Sequence, residues 1–371
     1  MTRQALILLA SCAVGALSTG TAAVAQTAPA ANSRPVAVEG VIVTADRRER
    51  KLQDVPSAIS AITEQALERS RIVDLSSLST TVPSFSMTES SALGKELSIR
   101  GVTSVRILDA TAEPSVGMFV DEVYLSRMGS AFTDFYDLER VEVIRGPQGV
   151  LLGKNVVGGA ISVITAKPKF DDQGQMTVGL SNYNGFNANG YMTGGLTENI
   201  AGRFAFQVRN RDGYAKNVIL NSEVDDLKSH QARAELLYAP EDGDLRALLT
   251  VDYGSSNSAG TARVMTDDPF AAGTGTLAAY RAGLGLGPRE STSPQREYAD
   301  RKTGGASLRI DYDGFSGARL TSITGYRKSE GRMGYNQLGA ASPPALADTF
   351  YYAEDRPETI SQELRLVSQN D

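Results

Sequence analysis

The sequence predicts a mixed α/β domain followed by antiparallel strands of the kind that cross an outer membrane, forming an incomplete barrel. Three observations predict it. The N-terminus reads as an export segment; a glycine-rich region with mixed helix and strand patterns runs to about Pro168; and after Pro168 the apolar period changes to two. Composition narrows the alternatives. At 371 residues the chain holds one to three domains, and 22% charged residues are too many for a bundle of membrane helices. A net charge of −6 argues against a nucleic-acid binder, which would carry a basic patch. No 20-residue apolar run follows the first 25 residues. That excludes spanning helices in the mature chain and leaves open a β-barrel, whose signal is weaker per segment.

Residues 1–25 are expected to be a signal peptide. Arg3 supplies a positive start, an apolar stretch runs from Ala5 to about Leu17, and Ala23-Val24-Ala25 has the small-x-small pattern of a cleavage site. Leu9-Ala10-Ser11-Cys12 also resembles a lipoprotein box, although the apolar segment before Cys12 is unusually short for one. Cys12 is the only cysteine, so cleavage before Gln26 removes disulfides and thiolate chemistry from the mature protein.

Residues 26–51 read as a flexible periplasmic segment. Ala, Thr, Pro, Asn and Ser dominate as far as about residue 36. A β-prone run, Val38-Glu39-Gly40-Val41-Ile42-Val43-Thr44-Ala45, then precedes the charged residues Asp46 to Lys51. Such a run is either the first strand of the next domain or a segment offered to another protein's sheet edge, where backbone hydrogen bonds would carry the affinity.

Residues 52–168 are expected to form a compact α/β domain. Ala58–Ile62 is a strand, and Thr63 caps a helix containing Ala66 and Leu67. Asp74 caps a second helix carrying Leu75 and Leu78, which stops before Pro83. Glu96–Arg100 and Val116–Leu125 read as strands, Phe132–Leu138 as a helical turn, and Arg140–Arg145 and Ala160–Thr165 as strands flanking the glycine-rich stretch from Gly146 to Gly159.

Three blocks in this region resemble the plug domain of the TonB-dependent outer-membrane receptors, in order and in spacing. They are Leu52-Gln53-Asp54-Val55-Pro56; Leu97-Ser98-Ile99-Arg100-Gly101; and Val141-Glu142-Val143-Ile144-Arg145-Gly146-Pro147-Gln148-Gly149, continued by Leu152-Gly153-Lys154-Asn155 and Gly158-Gly159-Ala160-Ile161. The resemblance covers residues 38–168. It implies that Val38–Ala45 is a TonB box, that residues 52–168 are a plug and that residues 169–371 are the N-terminal portion of a transmembrane barrel. It also implies uptake of a scarce solute such as a ferric siderophore, cobalamin or an oligosaccharide. The implied partners are TonB with its inner-membrane energising complex, the outer-membrane lipid and the solute; no nucleic acid is expected. Gly146, Gly149 and Gly153 suit tight turns, and Pro147 stiffens one. Arg100 and Arg145 stand directly before glycines and, on the family reading, pair with barrel-wall carboxylates; otherwise they are solvated. Asp121 and Glu122 are either hairpin-turn residues or partners of those arginines.

Other chemistry is set aside. Gly149-Val150-Leu151-Leu152-Gly153-Lys154 has three residues between its glycines rather than four, and Asn155 replaces the magnesium-binding hydroxyl of a phosphate loop. His230, the lone histidine, sits in the polar stretch Lys228-Ser229-His230-Gln231 and reads as a surface residue. No catalytic residue, metal ligand or cofactor is expected.

Beyond Pro168, apolar and polar residues alternate. Phe204, Phe206 and Val208 interleave with Arg203, Gln207 and Arg209; Ala232, Ala234 and Leu236 with Arg233 and Glu235; and Leu308 and Ile310 with Arg309 and Asp311. Leu364 and Leu366 likewise interleave with Glu363 and Arg365. This is the pattern of lipid-facing and lumen-facing sides, shared with a soluble sheet that has one wet face. Long segments at Gly254 to about Arg301 and Ser329 to about Pro357 are expected to be extracellular loops. About eight strands are expected between Met176 and Val367, whereas plugged transporters have about 22. The sequence is therefore expected to be a fragment of a TonB-dependent receptor. A soluble periplasmic plug-type binding module and a passive porin are the alternatives.

Overall fold

The computed structural model describes residues 42–44, 50–89, 95–104, 113–126, 134–260, 282–336 and 350–368. Residues 1–25, expected to be a signal peptide, residues 26–37, and Val38–Val41 and Ala45 of the β-prone run lie outside these residues.

The first described residues form a two-stranded ribbon, β1 (Ile42–Val43) against β2 (Arg50–Lys51). The plug follows. Its sheet contains β3 (Ala58–Thr63), β6 (Val116–Val120), β7 (Val123–Tyr124), β8 (Leu138–Arg145) and β9 (Gly159–Thr165), in the order β3-β8-β9-β6-β7. Only β6 and β9 run parallel. A separate ribbon pairs β4 (Phe85–Glu89) with β5 (Lys95–Ile99). Helix α1 (Glu64–Arg69) and the single turn α2 (Gly149–Leu152) complete the unit. Leu75, Leu78, Ile99, Met118, Val141 and Ile161 are nearly or fully buried and form the centre of one apolar core. β8 and β9 are buried along nearly their whole length, Glu142 and Ser162 included, because both faces of the sheet are covered there.

Local expectations hold in most places and fail where a short turn replaces regular structure. Thr63 stands at the N-cap of α1 but makes no side-chain cap bond. The second helix is only a 3-10 turn, Ser77–Thr80; the Asp74 carboxylate accepts from Ser77 N and Ser76 Oγ, both at 2.8 Å. Leu75 and Leu78 still reach the core, so a single turn meets their burial before Pro83. The strand expected over Val116–Leu125 is a hairpin: Asp121 (φ 46) and Glu122 (φ 67) turn the chain between β6 and β7. In place of a helical turn over Phe132–Leu138, Asp134 bridges to Asp74 and Leu138 already begins β8; Phe132 and Thr133 lie outside the described residues.

The wall contains β10 (Gln173–Ser181), β11 (Gly185–Thr197), β12 (Ile200–Arg211), β15 (Leu227–Tyr238), β16 (Leu245–Ser258), β18 (Tyr298–Phe315), β19 (Ala318–Asn336), β20 (Phe350–Asp355) and β21 (Glu358–Ser368), all antiparallel neighbours. β20 and β21 lie end to end along β19, so these nine strands make eight lanes. The sheet is open: among the described residues, β10 and the β20–β21 lane each pair on one side only. A small three-stranded sheet of β13 (Ala215–Asn217), β14 (Ser222–Val224) and β17 (Glu290–Ser291) stands among the long connections. Connections at residues 198–199, 239–244 and 316–317 are short and join strands at one end; the strand ends at the other end are separated in sequence by the turn 182–184 and by the longer intervals 212–226, 259–297 and 337–349. Outer-membrane barrels place short turns in the periplasm and long loops outside.

The period-two pattern now has a direction. Phe204, Leu249, Val251, Tyr253, Leu308 and Leu364 are exposed on the outer face, while Arg203, Gln207, Arg233, Glu235, Asp252 and Arg327 are buried against the plug. No helix among the described residues is long and apolar enough to cross a membrane.

Candidate functional site: the plug–wall interface

Three carboxylate positions on the plug hold the wall. Asp137 (φ 50) leaves the turn before β8 and accepts from two guanidiniums, Arg203 (Nε 3.0 Å) on β12 and Arg233 (Nη2 2.6 Å) on β15. Arg233 also donates to the Asp137 carbonyl at 2.7 Å. All three side chains are nearly sealed, at 3%, 4% and 6% exposure for Asp137, Arg203 and Arg233, so their pairing sits in a low dielectric. Arg203 stacks on Tyr191 and Arg233 faces Tyr136. Nearby, Asp134 pairs with Arg209 and accepts from Ser229 Oγ at 3.2 Å. Burial pushes the Asp134 carboxyl above its ordinary value, with Arg209 only partly offsetting it.

The third position is the β6–β7 turn. Glu122 bridges Arg309 on β18 and Arg365 on β21, the latter at 2.6 Å. Asp121 accepts from Thr165 N (3.1 Å), Thr165 Oγ1 (2.7 Å) and Lys167 Nζ (2.5 Å). Burial alone would raise the Asp121 carboxyl, but the Lys167 charge and these hydrogen bonds outweigh it and hold it below the usual range. β7 follows the turn onto the wall: a Cβ at Gly325 of β19 would lie 2.6 Å from Val123.

The described end of the β-prone run is attached to the same sheet. Val43 is fully buried, and Thr44 donates from its backbone N (3.0 Å) and its hydroxyl (3.3 Å) to Glu142 Oε1. Glu142 is itself completely buried on β8 and also accepts from Arg140 Nε at 2.8 Å.

The residues singled out by sequence sit elsewhere on the plug. Arg100 (φ 54) is exposed beside Gly146; Arg145 is half-buried, with its Nε buried and unbonded. Among the described residues neither forms an ion pair with a wall carboxylate. Gly101, Gly146, Gly153 and Gly159 take positive φ, Gly149 opens α2, Pro147 is exposed, and Gly158 lies beside Val102. Only at Gly159 (φ +139) is the requirement absolute, since a Cβ would fall 2.2 Å from the Ile144 carbonyl oxygen. Asn155 (φ 67) donates to Tyr124 Oη at 2.8 Å, tying the glycine-rich stretch to β7. Sequence reasoning did not single out Asp134 and Asp137. Their partners were visible as the arginines alternating with apolar residues, which are now the inward ones.

A small α/β domain held by buried ion pairs against a strand wall whose outer face is apolar defines a class by architecture: a domain inserted in a membrane-spanning β-wall. Residues 51–160 match the family model described as TonB-dependent Receptor Plug Domain. The chain is 26% identical over 204 residues to the vitamin B12 transporter BtuB of Photobacterium profundum, covering 53% of this chain and 32% of that one. It is also 26% identical over 190 residues to the iron-regulated outer membrane virulence protein of Vibrio cholerae, covering 47% and 28%. The ferric yersiniabactin uptake receptor FyuA of Yersinia pestis shares the fold at a TM-score of 0.71 and 19% identity, over 85% of this chain and 46% of that one. The siderophore receptor PiuA of Acinetobacter baumannii does so at 0.68 and 17%, over 88% and 44%. Residues 51–160 are thus a TonB-dependent receptor plug domain, and the chain as a whole has the fold of a plug with a partial barrel wall. It spans about a third of the length of the curated relatives it matches.

Proposed function

We propose that the receptor containing this chain takes up a scarce solute, a ferric siderophore or a molecule of similar role such as cobalamin, by active transport coupled to TonB. In this reading residues 38–45 are the TonB box, and pulling on them is transmitted to the plug. The observation that carries it is the attachment of Thr44 to buried Glu142, which places the described end of the run in direct contact with a central plug strand. The names of relatives that transport vitamin B12 and of fold neighbours that take up siderophores support the solute class.

Of the signature residues Arg100, Gly101, Arg145, Gly146, Pro147, Gly149, Gly153, Asn155, Gly158 and Gly159, the exposed Arg100, Gly101, Pro147, Gly149 and Gly153 belong, on this proposal, to the plug surface that meets barrel wall, and the others shape the turns beneath it. The open sheet supports further strands in the working receptor: unpaired lane edges in hydrocarbon cost several kcal/mol per unsatisfied backbone group, roughly. An eight-lane closed barrel, moreover, holds little beyond its own side chains. Deleting residues 38–45 from the whole receptor should abolish uptake while sparing solute binding at the cell surface. Retained uptake overturns the assignment.

A further inference from the structure

Two cavities lie between plug and wall, and the β6–β7 turn separates them. Toward the short-turn end is one of about 580 Å³, into which Arg140, Lys167, Arg246, Arg309, Arg319 and Arg365 project. On the other side is a small one of about 40 Å³, lined by Val123, Phe135, Leu138 and Val163 together with Arg233 and Asp252. Asp121, Thr250 and Ser307 line both, so the turn and these two wall residues stand between them.

The turn is held in place. Both its residues take the positive φ that a two-residue hairpin turn requires, and both carboxylates are bound by cations. The carboxylates that also line the larger cavity, Glu139 and Asp311, are themselves paired with Arg140 and Arg309. Withdrawing Asp121 and Glu122 would open the larger cavity toward the smaller and leave Lys167, Arg309 and Arg365 with Glu235, Asp311 and Glu363 as their remaining carboxylates, on a lining in which Arg and Lys outnumber Asp and Glu.

We propose that the Asp121–Glu122 turn is the gate of the exit route along β16, β18, β19 and β21. The solute that passes is anionic, its negative groups replacing the two turn carboxylates on Lys167, Arg309 and Arg365. This rests on the TonB-coupled reading above.

The test uses the chain in the outer membrane of its host, in a Cys12→Ser background. One variant carries Thr321→Cys in the larger cavity, and another carries Gln207→Cys, equally buried on β12 at the Asp134 side of the plug. Each is treated from outside the cell with sulfonatoethyl or trimethylammonioethyl methanethiosulfonate, with TonB present or deleted. TonB should accelerate labelling of the Thr321→Cys variant but not of the Gln207→Cys variant, with the anionic reagent faster by on the order of tenfold. Adding Glu122→Gln should give the same labelling without TonB. TonB-driven labelling confined to the Gln207→Cys variant overturns the gate and leaves the coupling reading standing. A cationic reagent as fast as the anionic one overturns the solute charge. No TonB effect at either site sinks the coupling reading and the gate with it.

Discussion

Asp137→Asn isolates the charge that fastens the plug to β12 and β15. The position has φ 50, which asparagine tolerates as well as aspartate, so the backbone should not move. What is lost is the negative charge between Arg203 and Arg233, whose side chains are 4% and 6% exposed. Breaking a buried pair by removing one partner costs roughly 3–5 kcal/mol, because the remaining charge is stranded. Stacking of Arg203 on Tyr191 and the approach of Arg233 to Glu235 at 3.7 Å retain part of the environment, which favours the lower end. About 3 kcal/mol corresponds to a roughly 150-fold shift in the equilibrium that releases the plug. Hydrogen exchange at the β8 amides, measured on the folded chain in membrane, should accelerate by about that factor. Adding Arg203→Met should restore part of the protection, since the stranded charge is then removed. Unchanged exchange in Asp137→Asn would show that these pairs do not fasten the plug and refute the reasoning.

Three further outcomes follow from the same geometry. Gly325→Ala should push Val123 off the wall at a cost of about 1–3 kcal/mol by denaturant unfolding, and Val123→Ala in the same chain should recover most of it. Glu142→Ala removes the acceptor for Thr44 and one partner of Arg140, so trypsin should cut after Arg50 or Lys51 faster than in the parent chain. The Asp121 carboxyl is held below its ordinary 3.8, so its stabilising contribution is complete above that pH and is lost as pH falls through the depressed value. Acid release of the plug should therefore contain a component below pH 3.8 that disappears in Asp121→Asn.

Much of this protein is legible one residue at a time. Alternation at Phe204, Phe206 and Val208 or at Leu308 and Ile310 marks a wall because side chains on a strand repeat every two residues, whatever surrounds them. The glycine blocks around Gly101 and Gly146–Gly159 are legible because backbone conformations with positive φ leave few alternatives to glycine. The β-prone run beginning at Val38 stands out by contrast with its polar flanks. None of these signals needs a partner distant in the chain.

What tertiary structure alone decided is the pairing. The family resemblance pairs Arg100 and Arg145 of the plug with wall carboxylates, with solvated arginines as the alternative. Among the described residues the ion pairs run the other way, with Asp134, Asp137 and Glu122 of the plug meeting Arg209, Arg203, Arg233, Arg309 and Arg365 of the wall. Each pair joins residues 66 to 243 positions apart, and a carboxylate in a turn carries no mark of which guanidinium will reach it. The Val116–Leu125 run shows the same limit locally. Its β-formers flank Asp121 and Glu122 on both sides, and the turn is held there by Thr165, Lys167, Arg309 and Arg365, which arrive from β9, the segment after it and the wall. Local backbone preference and side-chain period are properties of adjacent residues and can be read from them. Charge partners and cavities are properties of the closed chain, and they appear only once the plug sits against its wall.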